Sequence, residues 1–153
     1  MQFNRLFAAA AGYGLLAIAA LTAPSPAHAE PTVALDSAVF VERIEPGTGR
    51  RLEPVNQLSR GDRVVYVVTW QRTAGSGSFT VTNSLPRSVY FQGTADGDEE
   101  VSVDGGRSWG KLEDLRVGTR YATPEDVTHV RWRVPAAVAA RGQGRIAYSA
   151  IVR

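Results

Sequence analysis

Arg63-Val64-Val65-Tyr66-Val67-Val68-Thr69-Trp70 is the stretch that decides the fold. Val64, Tyr66, Val68 and Trp70 alternate with Arg63, Val65, Val67 and Thr69, a period of two in a run rich in β-branched and aromatic side chains. A helix would scatter these residues around its axis, whereas a strand gathers the larger ones on one face. The spacing predicts a central strand. Thr73-Ala74-Gly75-Ser76-Gly77-Ser78 then reads as a small-residue turn, and Phe79, Val81, Asn83 and Leu85 alternate with polar neighbours beyond it. The two runs together predict a hairpin. Pro86 has no N–H for a ladder, so it ends the second strand, and Val89–Gln92 begins another.

Working outward, the same grammar recurs. Ala38–Ile44 is expected as a strand entered from a less regular Thr32–Ser37, and Val55, Leu58 and the turn Arg60-Gly61-Asp62 lead into Arg63. Glu99–Val103 is a short strand, and Ile146, Tyr148, Ala150 and Val152 mark the last one. In His129–Val134, alternation sends Trp132 inward and His129, Arg131 and Arg133 outward. The best helical candidate, Pro135–Ala140, is short and alanine-rich. About seven short strands separated by Gly, Pro and Asp turns predict an all-β fold, an Ig-like antiparallel β-sandwich.

The chain opens on Asn4 and Arg5, an apolar run from Leu6 to Leu21, a break at Pro24 and Pro26, and Ala27-His28-Ala29. That order of charge, apolar core and small-residue site is a secretory signal peptide cleaved after Ala29. Ala27 and Ala29 are its recognition residues. Residues 1–29 are therefore the expected signal peptide and 30–153 the expected single β-sandwich domain, exported to the periplasm or the extracellular space, with no membrane span once the signal is removed. The chain contains no cysteine, which removes disulfides, thiolate catalysis and thiolate metal sites together. Packing alone must hold the domain. Lys and Arg number 17 against 15 Asp and Glu, and Arg5 belongs to the expected signal, so the remainder is nearly neutral. Its arginines are scattered among acids and form no stripe, so nucleic acid is not an expected partner.

Ser102-Val103-Asp104-Gly105-Gly106-Arg107-Ser108-Trp109 fits the Asp-box pattern S-x-D-x-G-x-[ST]-[WF] at every defined position. Asp104 is placed to accept bonds from backbone N–H groups farther along, Gly106 to take positive φ, and Trp109 to fold back under the turn, so these three are read as fixing a hairpin. The motif resembles the turns of sialidase-like propeller blades, where it recurs once per blade. It occurs once here, and a propeller needs several blades of about 40 residues each. The preceding run Asp96-Gly97-Asp98-Glu99-Glu100 offers hard oxygens, but an EF-hand register from Asp96 places Val101 at the glycine position and Arg107 at the bidentate glutamate position. A solvated loop is the simpler reading, and no metal or cofactor is expected. His129 is the one histidine beyond the expected signal, with Asp126 three positions earlier, yet no G-x-S-x-G turn accompanies them. No catalytic residue is assigned.

Gly61, Asp62, Val64, Tyr66, Val68 and Thr69, followed by Val81, Asn83, Leu85, Pro86, Val89 and Phe91, resemble the paired signatures G-D-x-[VL]-x-Y-x-[IV]-T and v-x-[DN]-x-[LI]-P-x-x-[VL]-x-F. These are signatures of a bacterial conserved-repeat surface domain family, domain of unknown function eleven. Asp126-Val127-Thr128-His129-Val130-Arg131-Trp132 is similar to a further stretch of that family. The resemblance covers Leu58 to Val152. It implies an Ig-like or prealbumin-like sandwich and a structural or surface-interaction role, with no catalytic residues to carry over. Two features depart from the family pattern. Gln71 and Arg72 stand where members have an Asn-Gly turn, and a single copy stands where members repeat in tandem.

Two classes of function follow. The first is an exported, non-enzymatic structural or interaction module of the bacterial cell envelope, meeting an envelope or surface protein through sheet faces, loops or an edge strand. The second is a small carbohydrate- or calcium-binding domain using the Asp96 to Trp109 region.

Overall fold

A computed structural model describes residues 31–47 and 49–153. The expected signal peptide, including Ala27 and Ala29, lies outside the described residues. Among the described residues, ten strands and one short α-helix follow in the order β1 (Thr32–Glu45), β2 (Gly49–Pro54), β3 (Arg63–Ala74), β4 (Phe79–Ser84), β5 (Val89–Thr94), β6 (Glu100–Ser102), β7 (Arg116–Val117), β8 (Arg120–Tyr121), β9 (His129–Val134), α1 (Ala136–Ala139) and β10 (Gln143–Val152), with single 3-10 turns at Leu112–Asp114 and Pro124–Asp126. They form a five-stranded sheet in the order β2-β1-β3-β10-β5, a three-stranded sheet β4-β9-β6 and a small β7-β8 ribbon, all antiparallel. The fold is an all-β sandwich, with ten strands where the sequence predicts about seven.

The three additional strands carry too little alternation to be read from the sequence. In β2, Gly-Arg-Arg-Leu-Glu-Pro carries one apolar side chain among charges, as suits an edge strand that must not recruit another chain. The other two, β7 and β8, have two residues each, too few for a period to register. Thr32–Ser37 is also regular where irregularity was expected. It pairs with β3 from Ala74 to Val68, so the ladder of its neighbour organises a segment whose own pattern is weak.

The expected hairpin is not formed. The strand β3 pairs with β1 and β10, whereas β4 pairs with β9 in the other sheet, so Gly75–Ser78 carries the chain from one layer to the next. Gly75 and Gly77 have φ of 76° and 98°, which suits a wide crossing between layers. Local alternation is the same for two strands in one sheet and for two strands facing each other across a core, so the pattern could not separate the cases.

The predicted inner face of β3 is the inner face observed. Val64, Val68 and Trp70 are buried, with Tyr66 half-buried between them. Tyr148 from β10 stacks on Tyr66 with ring centroids 4.8 Å apart and packs against Trp132 of the opposite sheet at 5.5 Å. Its hydroxyl accepts a 2.8 Å hydrogen bond from Asn83 Nδ2 on β4, which ties the two sheets by a polar contact inside the apolar layer. Burial pushes the Tyr148 phenol well above its ordinary range, so it stays protonated.

At the far end of the core, Trp70 lies over Gly144, its cross-strand neighbour in β10. A Cβ on Gly144 would stand 2.4 Å from Trp70 Cζ2. No L side chain fits without moving the indole. Gly144→Ala is expected to lower unfolding free energy by about 1–3 kcal/mol, as over-packing does, and to shift tryptophan emission as the ring is displaced. Urea denaturation with fluorescence detection checks this; an unchanged midpoint and spectrum would show that the contact is soft.

Candidate functional site

The Asp-box is built on the end of β6. Asp104 Oδ1 accepts hydrogen bonds from the backbone N–H of Arg107 and of Ser108, both at 3.0 Å, and from the Ser102 hydroxyl at 2.8 Å. Its Oδ2 accepts from the Ser108 hydroxyl at 2.6 Å. Ser102 Oγ in turn accepts from Gly106 N–H at 2.8 Å, so the first and third residues of the motif divide the turn's donors between them. Gly105 and Gly106 have φ of 80° and 87°, a consecutive left-handed pair that a branched residue would strain. The turn closes where Val101 and Gly110 exchange backbone bonds of 2.8 and 3.1 Å. Four donors on one carboxylate hold Asp104 far below the ordinary carboxylate range, with the Ser108 hydroxyl the leading cause.

Trp109 folds onto the outer face of β9. Its Nε1–H donates to Gly106 O at 3.0 Å, its ring meets His129 edge-on at 6.3 Å, and the Arg131 guanidinium lies 4.5 Å above its centroid. Arg131 Nε also donates to Glu100 at 2.8 Å. The indole is therefore committed at its N–H, its edge and one face to the protein's own groups. Sequence reasoning missed the role of Thr128. Its hydroxyl donates to Ser102 O at 3.1 Å, accepts from Gly105 N–H at 3.1 Å and sits 3.0 Å from His129 Nδ1. One hydroxyl thus ties the turn backbone to the imidazole at the start of β9.

His129 and Asp126 are not brought together. Asp126 receives both Arg120 nitrogens, at 2.6 and 2.7 Å, and caps the turn at Thr123 through that residue's N–H at 2.8 Å. The Arg120 pair holds its carboxyl well below the usual range.

The acidic run is drawn apart in the same way. Glu99 hydrogen-bonds Thr94, Glu100 pairs with Arg131, and Lys111 Nζ reaches into the loop to donate to Gly97 O and Glu99 O. An ammonium from the chain itself thus occupies the carbonyls that a cation would use. Among the described residues no three His, Asp or Glu side chains gather as a metal site.

What the motifs leave unused lies elsewhere. At the end of the sandwich beyond Tyr148, a groove of about 380 Å³ opens between the sheets. Trp70, Trp132, Gly144 and Ile146 line its inner part. Arg133, Arg141 and Arg145 contribute to its walls, Val138 of α1 to its rim, and Asp96 and Asp98 to the end where β5 stops. No sequence motif marks this groove, since it is made by two strands outlasting their neighbours: β5 pairs with β10 only from Tyr148 onward, and β6 pairs with β9 only as far as Arg131.

Comparison of the chain with family models, with curated proteins and with solved structures gives no match. The residues themselves must carry the functional reading.

Two outcomes follow from the loop geometry. Asp104 and Asp126 both titrate below the ordinary value of 3.8 in the folded chain, so each stabilises the fold above that value and the contribution is lost as pH falls below it. Asp104→Asn is expected to lower the melting temperature at about pH 7 and to flatten its decline toward about pH 3, measured by circular dichroism. Calcium at millimolar concentration is expected to leave the melting temperature of the parent chain unchanged, because Lys111 already satisfies the loop carbonyls; a calcium-dependent rise would restore a metal role for Asp96 to Glu100.

Proposed function

We propose that the chain is an exported, non-enzymatic interaction module of the bacterial cell envelope, periplasmic or extracellular, which engages a surface or envelope protein at the groove between its sheets. The observation that carries this reading is a contrast. Groups suited to chemistry, Asp104, Asp126, His129 and Trp109, are tied to neighbours that fix turns, while the groove keeps two arginines, Arg141 and Arg145, and two bare strand ends for which the described residues provide no ion pair or pairing strand.

Three further observations support it. The leader-like residues from Asn4 to Ala29 suit an exported product. The resemblance of Gly61–Phe91 and Asp126–Trp132 to a bacterial surface repeat family points to surface interaction. The outer face of the five-stranded sheet adds Leu52 at 47% and Ile44 at 78% exposure, apolar side chains on a face that a protein without partners would make polar. A carbohydrate platform at Trp109 has less support, because Arg131 already occupies a face of the ring.

Photo-crosslinking tests the proposal. A crosslinker at Val138, on the groove rim, is expected to form discrete adducts in cells making the full chain, while one at Tyr121, exposed on β8, is expected to form none. Equal labelling at both positions, or none at Val138, would remove the groove as the interaction site. Glycan binding lost in a folded Trp109→Ala variant would favour the carbohydrate reading instead.

A further inference from the structure

We infer that the groove receives an extended peptide segment, acidic toward its C-terminal end, as an added antiparallel strand on the free edge of β10. The inference rests on the interaction reading above and names the class of partner.

The edge comes first. Arg72 N–H donates to Gly142 O at 2.7 Å, so that carbonyl points toward β3. Across the following trans peptide, the N–H of Gln143 points the opposite way, and alternation along the strand turns the backbone groups of Arg145 in the same direction. Both face the groove. The strand that ought to pair with them, β5, ends at Thr94 opposite Tyr148 and turns off into Ala95 and Asp96. The stretch Gln143–Ala147 thus has β3 on one side and a recess on the other. At about 3.3 Å per residue it is long enough for roughly five residues of a visiting strand, which would extend the line that β5 abandons.

Charge sets the occupant's chemistry and its direction. Arg141 and Arg145 stand at the start of β10, and Arg133 on β9 lines the same recess. Arg141 and Arg145 form no ion pair among the described residues, whereas Arg133, exposed on the outer face of β9, also acts on Glu100. Asp96 and Asp98 stand at the other end, next to the terminus of β5. A strand antiparallel to β10 enters past the two aspartates and leaves past the arginines. Acidic residues in its C-terminal half meet guanidinium groups, and a basic or amino-terminal start meets carboxylates. The reversed order places like charges together at both ends. Between the ends, the half-buried Ile146 offers apolar surface to the visitor over a floor closed by the buried Trp70 and Trp132, and Gly144 adds no side chain to obstruct it.

The test uses the full chain after signal removal and three synthetic peptides of about seven residues, the length of an added strand with short overhangs. The first has Lys at its start, a central Leu and Glu in its C-terminal half. The second has the same composition with the charge order reversed. The third matches the first but carries N-methyl groups on alternate backbone nitrogens. Tryptophan fluorescence reports binding, and hydrogen exchange reports the amides of Gln143 and Arg145.

The first peptide is expected to bind, to protect those two amides, and to weaken about tenfold or more in Arg141→Glu or on raising salt. The reversed and methylated peptides are expected to bind at least tenfold more weakly. Equal binding of the methylated peptide, or unprotected amides, would overturn strand addition; equal binding of the reversed peptide would overturn the charge assignment. If no peptide binds, the inference fails. The adducts at Val138 then decide separately whether the groove is an interaction site at all.

Discussion

Tyr148 is where the two sheets become one structure. Its ring stacks on Tyr66 within the five-stranded sheet, leans against Trp132 of the three-stranded sheet, and approaches Phe91 at 6.4 Å on the edge strand β5. A chain without cysteine has no covalent means of joining its layers, so the join must come from apolar area and shape. A fully buried tyrosine also brings a hydroxyl that has to be satisfied, and Asn83 satisfies it from across the core. That single bond confers register. Sliding one sheet over the other would strand both a phenol and an amide in an apolar layer, at a cost of about 1–3 kcal/mol for each unpaired group. Apolar contact alone penalises such a slide far less.

The Asp-box solves a different problem at the same sheet. The three-stranded sheet is narrow, and the outer face of its central strand β9 would otherwise be open to water. The turn from Ser102 to Trp109 folds over that face, with Thr128 joining the turn backbone to the start of β9 and Arg131 clamped between Trp109 and Glu100. His129 therefore belongs to the packing of the turn, with its Nδ1 held 3.0 Å from the Thr128 hydroxyl. A residue type associated with catalysis becomes a spacer because the neighbouring ring and hydroxyl fix its orientation and the nearest candidate acid, Asp126, is saturated by Arg120.

Much of this architecture was legible in the sequence, and the limits have physical causes. Alternation in Arg63–Trp70 identified both the strand and its buried face, because a half-buried strand leaves its period in the residues themselves. The Asp-box was legible because a turn with consecutive left-handed residues and a multiply bonded carboxylate demands particular residue types at fixed positions. Pairing was not legible. Whether β4 lies beside β3 or faces it is decided by Gly75–Ser78, whose small residues permit either path. The strand β2 was not legible because one leucine among charges leaves no period to read. The groove left no trace at all. It arises from the unequal lengths of β5 and β10 and of β6 and β9, a tertiary relation between segments that are each ordinary in sequence.

In the five-stranded sheet the interior strands β1 and β10 each leave part of one edge unpaired among the described residues, and their surroundings differ in a way that bears on which of them accepts a partner. The first half of β1, Thr32–Val39, pairs with β3 but runs past the end of β2, whose last residue, Pro54, lies opposite Phe40. Antiparallel pairing of that edge with a second copy, centred on Asp36, would set two carboxylates face to face, which disfavours self-association. At β10 the protection is steric. The free edge lies in a recess, with α1 and Val138 at its rim and β9 across from it, so a whole second sheet cannot reach it while a single extended segment can. An edge shielded by shape rather than by charge excludes large sheet edges and leaves its backbone donors and acceptors available, the combination that strand addition by a lone peptide requires.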